Sequence, residues 1–172
     1  MRENILGWAF IFLSIISCQS PKADALKQAV LDKEQAAFRI LLDKNGSETK
    51  KQECLVKNDY PCALKAVDMQ NGEFNRIITD LESLKDEGIK EGDQLRNAAV
   101  NYYKALKELH LFDLWEIEQQ ALISQLPQDK MKDAQDELIV LARQKKSLYT
   151  KVYEQEGLLS VAMKKFDDAN GL

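Results

Sequence analysis

Residues 131–166 read MKDAQDELIVLARQKKSLYTKVYEQEGLLSVAMKKF, and the spacing of their apolar side chains decides the fold that the sequence predicts. One set of positions alternates steps of three and four residues without a break: Met131, Ala134, Leu138, Leu141, Lys145, Leu148, Val152, Gln155, Leu159, Ala162 and Phe166. This spacing places the whole set on one side of an α-helix, the side that contacts partner helices. A helix of about 40 residues is about 60 Å long. Because an apolar stripe of that length is unstable in water, the segment predicts helical partners along its entire length.

Three further segments of the chain have helical spacing. The first covers about residues 23–44, the second begins after Asp59 with Pro61 in its first turn, and the third covers about residues 93–125. Asp is favourable immediately before a helix, and a proline in the first turn loses no hydrogen bond. Since the connections between the second, third and fourth helices are short, these helices are expected to be antiparallel. Residues 23–172 therefore predict an all-α domain, an elongated antiparallel up-and-down four-helix bundle with long third and fourth helices.

Two details of these helices bear on how they pack. The second helix carries a polar residue, Asn71, on its apolar stripe, which indicates a local irregularity rather than a binding site. In the third helix the stripe shifts at residues 110–118 (HLFDLWEIE), and such a shift predicts a kink or a local change of supercoil. Because the last two helices are longer than the first two, one end of that pair is expected to protrude as a hairpin, unless the connection between the first two helices covers it.

The N-terminal segment has the features of an export signal. A largely apolar run of twelve residues, 5–16, follows the positive start at Met1 and Arg2 and ends two residues before Cys18. A membrane-spanning helix needs about 20 apolar residues, whereas the apolar core of a secretory signal has about 7 to 15. The run therefore predicts a signal peptide rather than a transmembrane helix.

The end of this run, Ile15-Ile16-Ser17-Cys18, resembles the lipobox of bacterial lipoproteins. The resemblance implies that residues 1–17 are a signal peptide and that a diacylglyceryl group is attached to the Cys18 sulfur. It also implies cleavage before Cys18, so that residues 18–22 form a lipidated N-terminus and a short tether. In Gram-negative lipoproteins an Asp after the cysteine favours the inner membrane. Since Gln19 stands there, the resemblance implies the bacterial cell envelope, lipid-anchored in the outer membrane and facing the periplasm.

The other two cysteines, Cys54 and Cys62, lie eight positions apart. In an oxidising compartment such a pair predicts a disulfide. The alternative, a redox or metal pair, is weak because redox motifs place two residues between the cysteines and metal sites need further Cys or His ligands. His110 is the single histidine of the chain.

The composition excludes several classes of function. The chain has 24 basic and 28 acidic side chains and a formal net charge of −4, which argues against a nucleic-acid partner. Haem and di-iron motifs are absent from the sequence, so no cofactor and no metal are predicted. Asp113 and Glu116 share one helical face with Gln120, a pattern more typical of a solvated surface than of an acid–base pair. The sequence therefore predicts no enzymatic activity.

Aromatic residues supply the candidate binding surface. Tyr103, Trp115 and Tyr153 lie on the long third and fourth helices and are candidates for contacting an envelope protein, the alternative being that they fill the bundle core. We expect a membrane-anchored envelope lipoprotein that acts as a non-enzymatic, helical protein-interaction or scaffolding module. Two alternatives stay open, a periplasmic holdase-type chaperone and a small-ligand carrier with a cavity in the bundle core. The net acidity disfavours the holdase.

Overall fold

The structure of this chain, a computed structural model, describes residues 20–172. Within that range the secondary structure is helical and contains no strand. The elements are α1 (Pro21–Leu42), α2 (Ser47–Val56), α3 (Tyr60–Glu82), α4 (Gly92–Leu111), α5 (Asp113–Ile123), a short 3-10 turn (Gln128–Lys130) and α6 (Met131–Asn170). The predicted signal peptide and its lipidation site, Cys18, lie outside the described residues.

The predicted all-α four-helix bundle is confirmed, with α1, α3, the α4–α5 pair and α6 as its four members. The α4 helix packs against both α3 and α6, its neighbours along the chain, while α1 packs on α3 and α4. Side chains from all four members form one apolar core. The fully buried large side chains of this core are Phe74, Leu81, Leu95 and Phe166.

The long helix α6 follows the spacing that its sequence predicts. Four members of the stripe are buried, and the other seven, including Lys145 and Gln155, are partly buried. The buried members are Ala134, Leu141, Val152 and Phe166. The alternation of three and four residues therefore identifies the side of α6 that contacts the bundle.

The connection after α1 differs from the sequence-based expectation, because its residues 47–56 fold as the additional helix α2. Gly46 makes this possible: a Cβ atom there would lie 2.5 Å from the carbonyl oxygen of Arg39 and 2.8 Å from that of Ile40. Only a residue without a side chain permits so close an approach. The chain therefore turns tightly at Gly46, and α2 packs along α3.

The disulfide between Cys54 and Cys62 joins α2 to the first turn of α3, with 5.7 Å between the two Cα atoms. Asp59 caps α3 as predicted, since its carboxylate accepts a hydrogen bond from the backbone N–H of Cys62 at 3.1 Å. Along α3 the fully buried polar residue is Gln70, and Asn71 is only partly buried. The buried side of α3 is therefore displaced by one residue only at Gln70, while Val67 and Phe74 on either side of it are buried.

Helices α4 and α5 are separated only by Phe112, so the predicted third helix is interrupted where its stripe shifts. Ile117 of α5 packs into a small apolar cluster with α2 and α3, so that the disulfide-linked helix covers the start of α5. Beyond it, residues 118–140 contain one buried residue, Ala134. The Gln119 side chain of α5 donates a hydrogen bond to the Ala134 carbonyl of α6 at 2.8 Å and links the two helices. This protruding part is the hairpin that the unequal helix lengths predict.

Candidate functional sites

The solvent-facing side of α6 carries a set of exposed apolar residues. None of them belongs to the buried stripe, and together they are called the outer face of α6: Ile139, Val140, Tyr149, Tyr153, Leu158 and Val161. Tyr153 is 68% exposed, and Ile139, Leu158 and Val161 are each more than half exposed. Single exposed apolar residues are common, but several on one helix are typical of a surface that binds a partner.

Trp115 is the second exposed aromatic residue that the sequence predicts, and it is 57% exposed. Its ring packs edge-to-face against Phe112, with 5.0 Å between the ring centroids. Both side chains border an open groove of about 540 Å³ between the α4–α5 junction and α6, and Leu148 lies on the α6 side. The break at Phe112 therefore places Trp115 beside α6.

The prediction that Tyr103 belongs to an exposed surface is wrong, because its side chain is only 3% exposed. Tyr103 follows Ala99 by four residues and precedes Leu106 by three, and all three are buried. Tyr102, one position earlier, is only partly buried. Since α4 packs against α1, α3 and α6, a wider part of its surface is buried than one stripe provides.

A cluster of buried charges lies where α2, α5 and α6 meet. Lys51 is 2% exposed and Asp113 is 7% exposed. The Lys51 ammonium donates to the Glu48 carboxylate at 2.7 Å and to Asp113. Lys145 of α6 donates to the other Asp113 oxygen at 2.6 Å and to Glu116 at 2.5 Å. The expected solvated face at Asp113 and Glu116 is therefore wrong, because Asp113 is buried between two lysines.

The protonation of this cluster is set by burial and hydrogen bonding together. Burial raises the pKa of Glu48, but hydrogen bonds to its carboxylate outweigh that effect and hold the pKa well below its usual range. The partners are His110, Lys51, Gln52 and Gln70. Burial likewise lowers the pKa of Lys145, but its contacts with Asp113 and Glu116 outweigh this and leave the pKa raised. Both groups are consequently held in their charged forms.

Three residues of the cluster have the right chemistry for a metal site. Glu48, His110 and Asp113 each place a potential ligand atom within 4.8 Å of the others. The Lys51 ammonium, however, contacts both carboxylates and occupies the position a cation would need. Lys51 is buried, so it has no open space into which it can move aside. The arrangement fits a salt-bridge network that joins three helices better than it fits a metal centre.

Sequence reasoning missed this cluster because it did not predict α2, the helix that supplies Glu48 and Lys51. One signal was present in the sequence. Glu48 and Lys51 are three residues apart, and a pair at that spacing lies on one side of a helix. The partner across the helices, Asp113, is 62 positions from Lys51, and only the folded chain brings the two together.

No helix within residues 20–172 contains a stretch long and apolar enough to cross a membrane. Comparisons with protein families, with curated proteins and with solved structures found no significant match to this chain. The basis for a functional proposal is therefore the geometry of the described residues together with the lipobox-like sequence at Cys18.

Proposed function

We propose that this chain is a lipid-anchored, non-enzymatic protein-interaction module of the bacterial cell envelope. In this proposal the outer face of α6, together with Trp115, binds another envelope protein. The observation that carries it is the large exposed fraction of these apolar side chains after the bundle is packed. Trp and Tyr are the residues that most often dominate binding energy at protein interfaces, because each buries a large, rigid surface on contact.

The position of the start of α1 determines which end of a bundle anchored through Cys18 lies nearest the membrane. Only Gln19 and Ser20 lie between Cys18 and the first residue of α1, Pro21, so the reach of the tether is at most about 10 Å. The Lys27 ammonium of α1 donates a hydrogen bond to the carboxylate of Asp167, near the end of α6, at 2.9 Å. The C-terminal end of α6 therefore lies at the anchored end, and the hairpin, about 60 Å along α6, points away from the membrane.

This orientation supports the proposal because it leaves the outer face of α6 accessible. That face spans residues 139–161 and would extend from the membrane-proximal part towards the hairpin. A second envelope protein could contact it without displacing the lipid anchor. The carboxylates of Asp113 and Glu116 accept hydrogen bonds from lysines, and the proposal assigns them a structural role rather than a catalytic one.

Site-specific photocrosslinking in living cells tests the partner surface. A photoreactive phenylalanine analogue is placed at Tyr153 or Trp115 of the full chain, and at Phe38 as the matched control. Phe38 is an aromatic residue of α1 with 59% exposure that lies outside the proposed surface. We expect one dominant envelope protein to be captured at positions 115 and 153 and not at 38.

Two results would contradict this expectation. Absence of a protein adduct at both positions 115 and 153, or the same adduct at all three positions, would remove the proposed surface. Capture of many different unfolded outer-membrane proteins would instead support the holdase alternative.

The lipid anchor is tested separately by Cys18→Ala. This variant should move from the membrane fraction to the soluble fraction, and unchanged membrane attachment would refute lipidation at Cys18.

A further inference from the structure

A second candidate site lies between α1 and α6, and none of the residues of the outer face of α6 lines it. Here a cleft of about 660 Å³ opens between the two helices, with apolar side chains of both on its walls. They include Val30 of α1 and Leu159 and Met163 of α6. A cleft of this volume lies within the range that small organic ligands occupy, about 300 to 1,000 Å³.

Two tyrosines of α4 contribute to the lining of this cleft. The rings of Tyr102 and Tyr103 pack edge-to-face, with 5.0 Å between their centroids. Tyr103 is 3% exposed, and its hydroxyl has no hydrogen-bond partner among residues 20–172. The oxygen itself is not enclosed by protein, since it is not among the fully buried polar atoms that lack a partner. The otherwise buried side chain therefore presents its hydroxyl to the cleft, where a ligand can form a hydrogen bond with it.

The charges around the cleft are predominantly negative. Asp167 is paired with Lys27, and Asp168 is paired with Lys164. The remaining carboxylates, Glu34 of α1 and Glu156 of α6, have no ion-pair partner within the described part of the chain. The cleft therefore has two exposed negative charges outside any ion pair of the described chain, one on each helix.

These carboxylates are close enough to the tyrosines to affect them. Burial raises the pKa of Tyr102, and the charges of Glu156 and Glu34 raise it further. Burial also raises the pKa of Tyr103, with smaller effects from Tyr102 and Glu34. Both phenols are therefore uncharged at physiological pH, and their oxygen atoms can accept a hydrogen bond from a cation.

We propose that this cleft binds a small organic ammonium ion that carries an apolar group. The ammonium lies between Glu34 and Glu156, and its N–H groups donate to the carboxylates and to the Tyr103 oxygen. Its charge also contacts the partly exposed ring of Tyr102, an arrangement that favours cations over neutral groups. The apolar part of the ligand packs against Leu159 and Met163. An anionic ligand is disfavoured by the two free carboxylates, and a neutral one would leave them without a partner.

Isothermal titration calorimetry on the purified full chain in detergent micelles tests this site. The probe is 2-phenylethylamine, compared with neutral 2-phenylethanol and anionic 3-phenylpropanoate, and each titration is corrected with a micelle blank. These three compounds have similar size but different charge. We expect one molecule of the amine to bind per chain, with an affinity about tenfold higher than that of either analogue.

Matched variants locate the binding to the cleft. Glu34→Gln combined with Glu156→Gln should weaken amine binding by about tenfold, because both attractive charges are removed. Glu154→Gln removes an exposed charge from the same helix outside the cleft lining and should bind like the unchanged chain. Circular dichroism confirms that the variants remain folded, as expected for exposed Glu-to-Gln changes.

Three outcomes would overturn the proposal. The first is no heat from the amine above the blank. The second is binding of the neutral alcohol as tight as that of the amine. The third is a loss of binding in Glu154→Gln as large as in the double variant. The first two comparisons use the unchanged chain, so they decide the question even if a variant fails to fold. None of them bears on photocrosslinking at Trp115 and Tyr153, so this site and the proposed function can fail independently.

Discussion

At the end of the bundle that contains the start of α1, four helices pack around large apolar side chains such as Leu81, Leu95 and Phe166. The opposite end contains α2, the start of α3, α5 and the start of α6, and we call it the hairpin end. Its apolar cluster is small and includes Cys54, Val67 and Ile117. A disulfide and a network of buried charges supply the rest of its cohesion.

The difference between the two ends shows that α6, which runs through both, is stabilised by apolar packing at one end and by buried charges at the other. Apolar packing is spread over many contacts, so a single change at the α1 end removes only part of it. A buried salt bridge depends on each of its members, because removing one leaves an unpaired charge away from water. The hairpin end should therefore respond more strongly to single polar substitutions, to reduction of its disulfide and to acid.

The largest effect is expected from Lys51→Ala, which leaves the carboxylates of Glu48 and Asp113 without their shared partner. Loss of one member of a buried pair costs about 3 to 5 kcal/mol. The free energy of unfolding, measured by urea denaturation, should fall by that amount. Hydrogen exchange should accelerate first in α2 and α5, since those helices are joined through Lys51.

Lys151→Ala is the matched control for this substitution. Lys151 also pairs with a glutamate, Glu108, but both side chains are 50% exposed. Exposed pairs contribute about 0 to 1 kcal/mol. If the two lysine variants lost similar amounts of stability, the buried network would not be what holds the hairpin end.

The next effect is expected from replacing both cysteines, Cys54→Ala with Cys62→Ala. The disulfide closes a loop with a sequence separation of eight residues, so its loss should lower the free energy of unfolding by about 2 to 3 kcal/mol. Hydrogen exchange should show faster opening of α2 and of the start of α3. Equal acceleration in the C-terminal part of α6 would contradict the separation of the two ends.

Acid should weaken the hairpin end through Glu48, whose pKa in the folded chain is lower than its value of 4.5 in the unfolded chain. Below pH 4.5 the unfolded chain binds more protons than the folded one, so stability falls as pH falls. The contribution is complete above that pH and is lost progressively below it. The melting temperature should therefore decrease more steeply from pH 5 to pH 3 in the unchanged chain than in Glu48→Gln.

Glu118→Gln serves as the control for this pH dependence, since Glu118 is an exposed residue of α5. Its variant should keep the steep decrease of the unchanged chain. A Glu48→Gln variant with the same slope as the unchanged chain would show that Glu48 is not the group through which acid acts.

The smallest effect on stability is expected at the proposed partner surface. Tyr153→Ala should change the free energy of unfolding by no more than about 0.5 kcal/mol, because the side chain is 68% exposed. Tyr103→Ala, at a buried tyrosine, should cost about 3 kcal/mol or more. The same Tyr153→Ala variant should lose capture of the partner by a crosslinker placed at position 115. Retained capture would mean that Tyr153 contributes nothing to binding.

Much of the fold follows from patterns within single segments of the sequence. The spacing of apolar residues in α6 identifies its buried side because helix geometry fixes which positions share a face. Asp59 caps α3, and Cys54 pairs with Cys62, through contacts between residues close in the chain. Because these features depend on contacts between residues close in the chain, the sequence alone is enough to predict them.

The candidate sites depended on contacts between distant segments. The sequence marked Trp115 and Tyr153 as candidates, but which of the neighbouring tyrosines, Tyr102 or Tyr103, is buried depends on how many helices surround α4. Likewise Asp113 meets Lys51 from 62 positions away. Sequence spacing determines the faces of each helix, whereas the packing of one helix against another decides which charges are buried and where a cleft stays open. The faces of each helix are set by local backbone geometry, whereas the buried charges and the open cleft are set only by the tertiary fold.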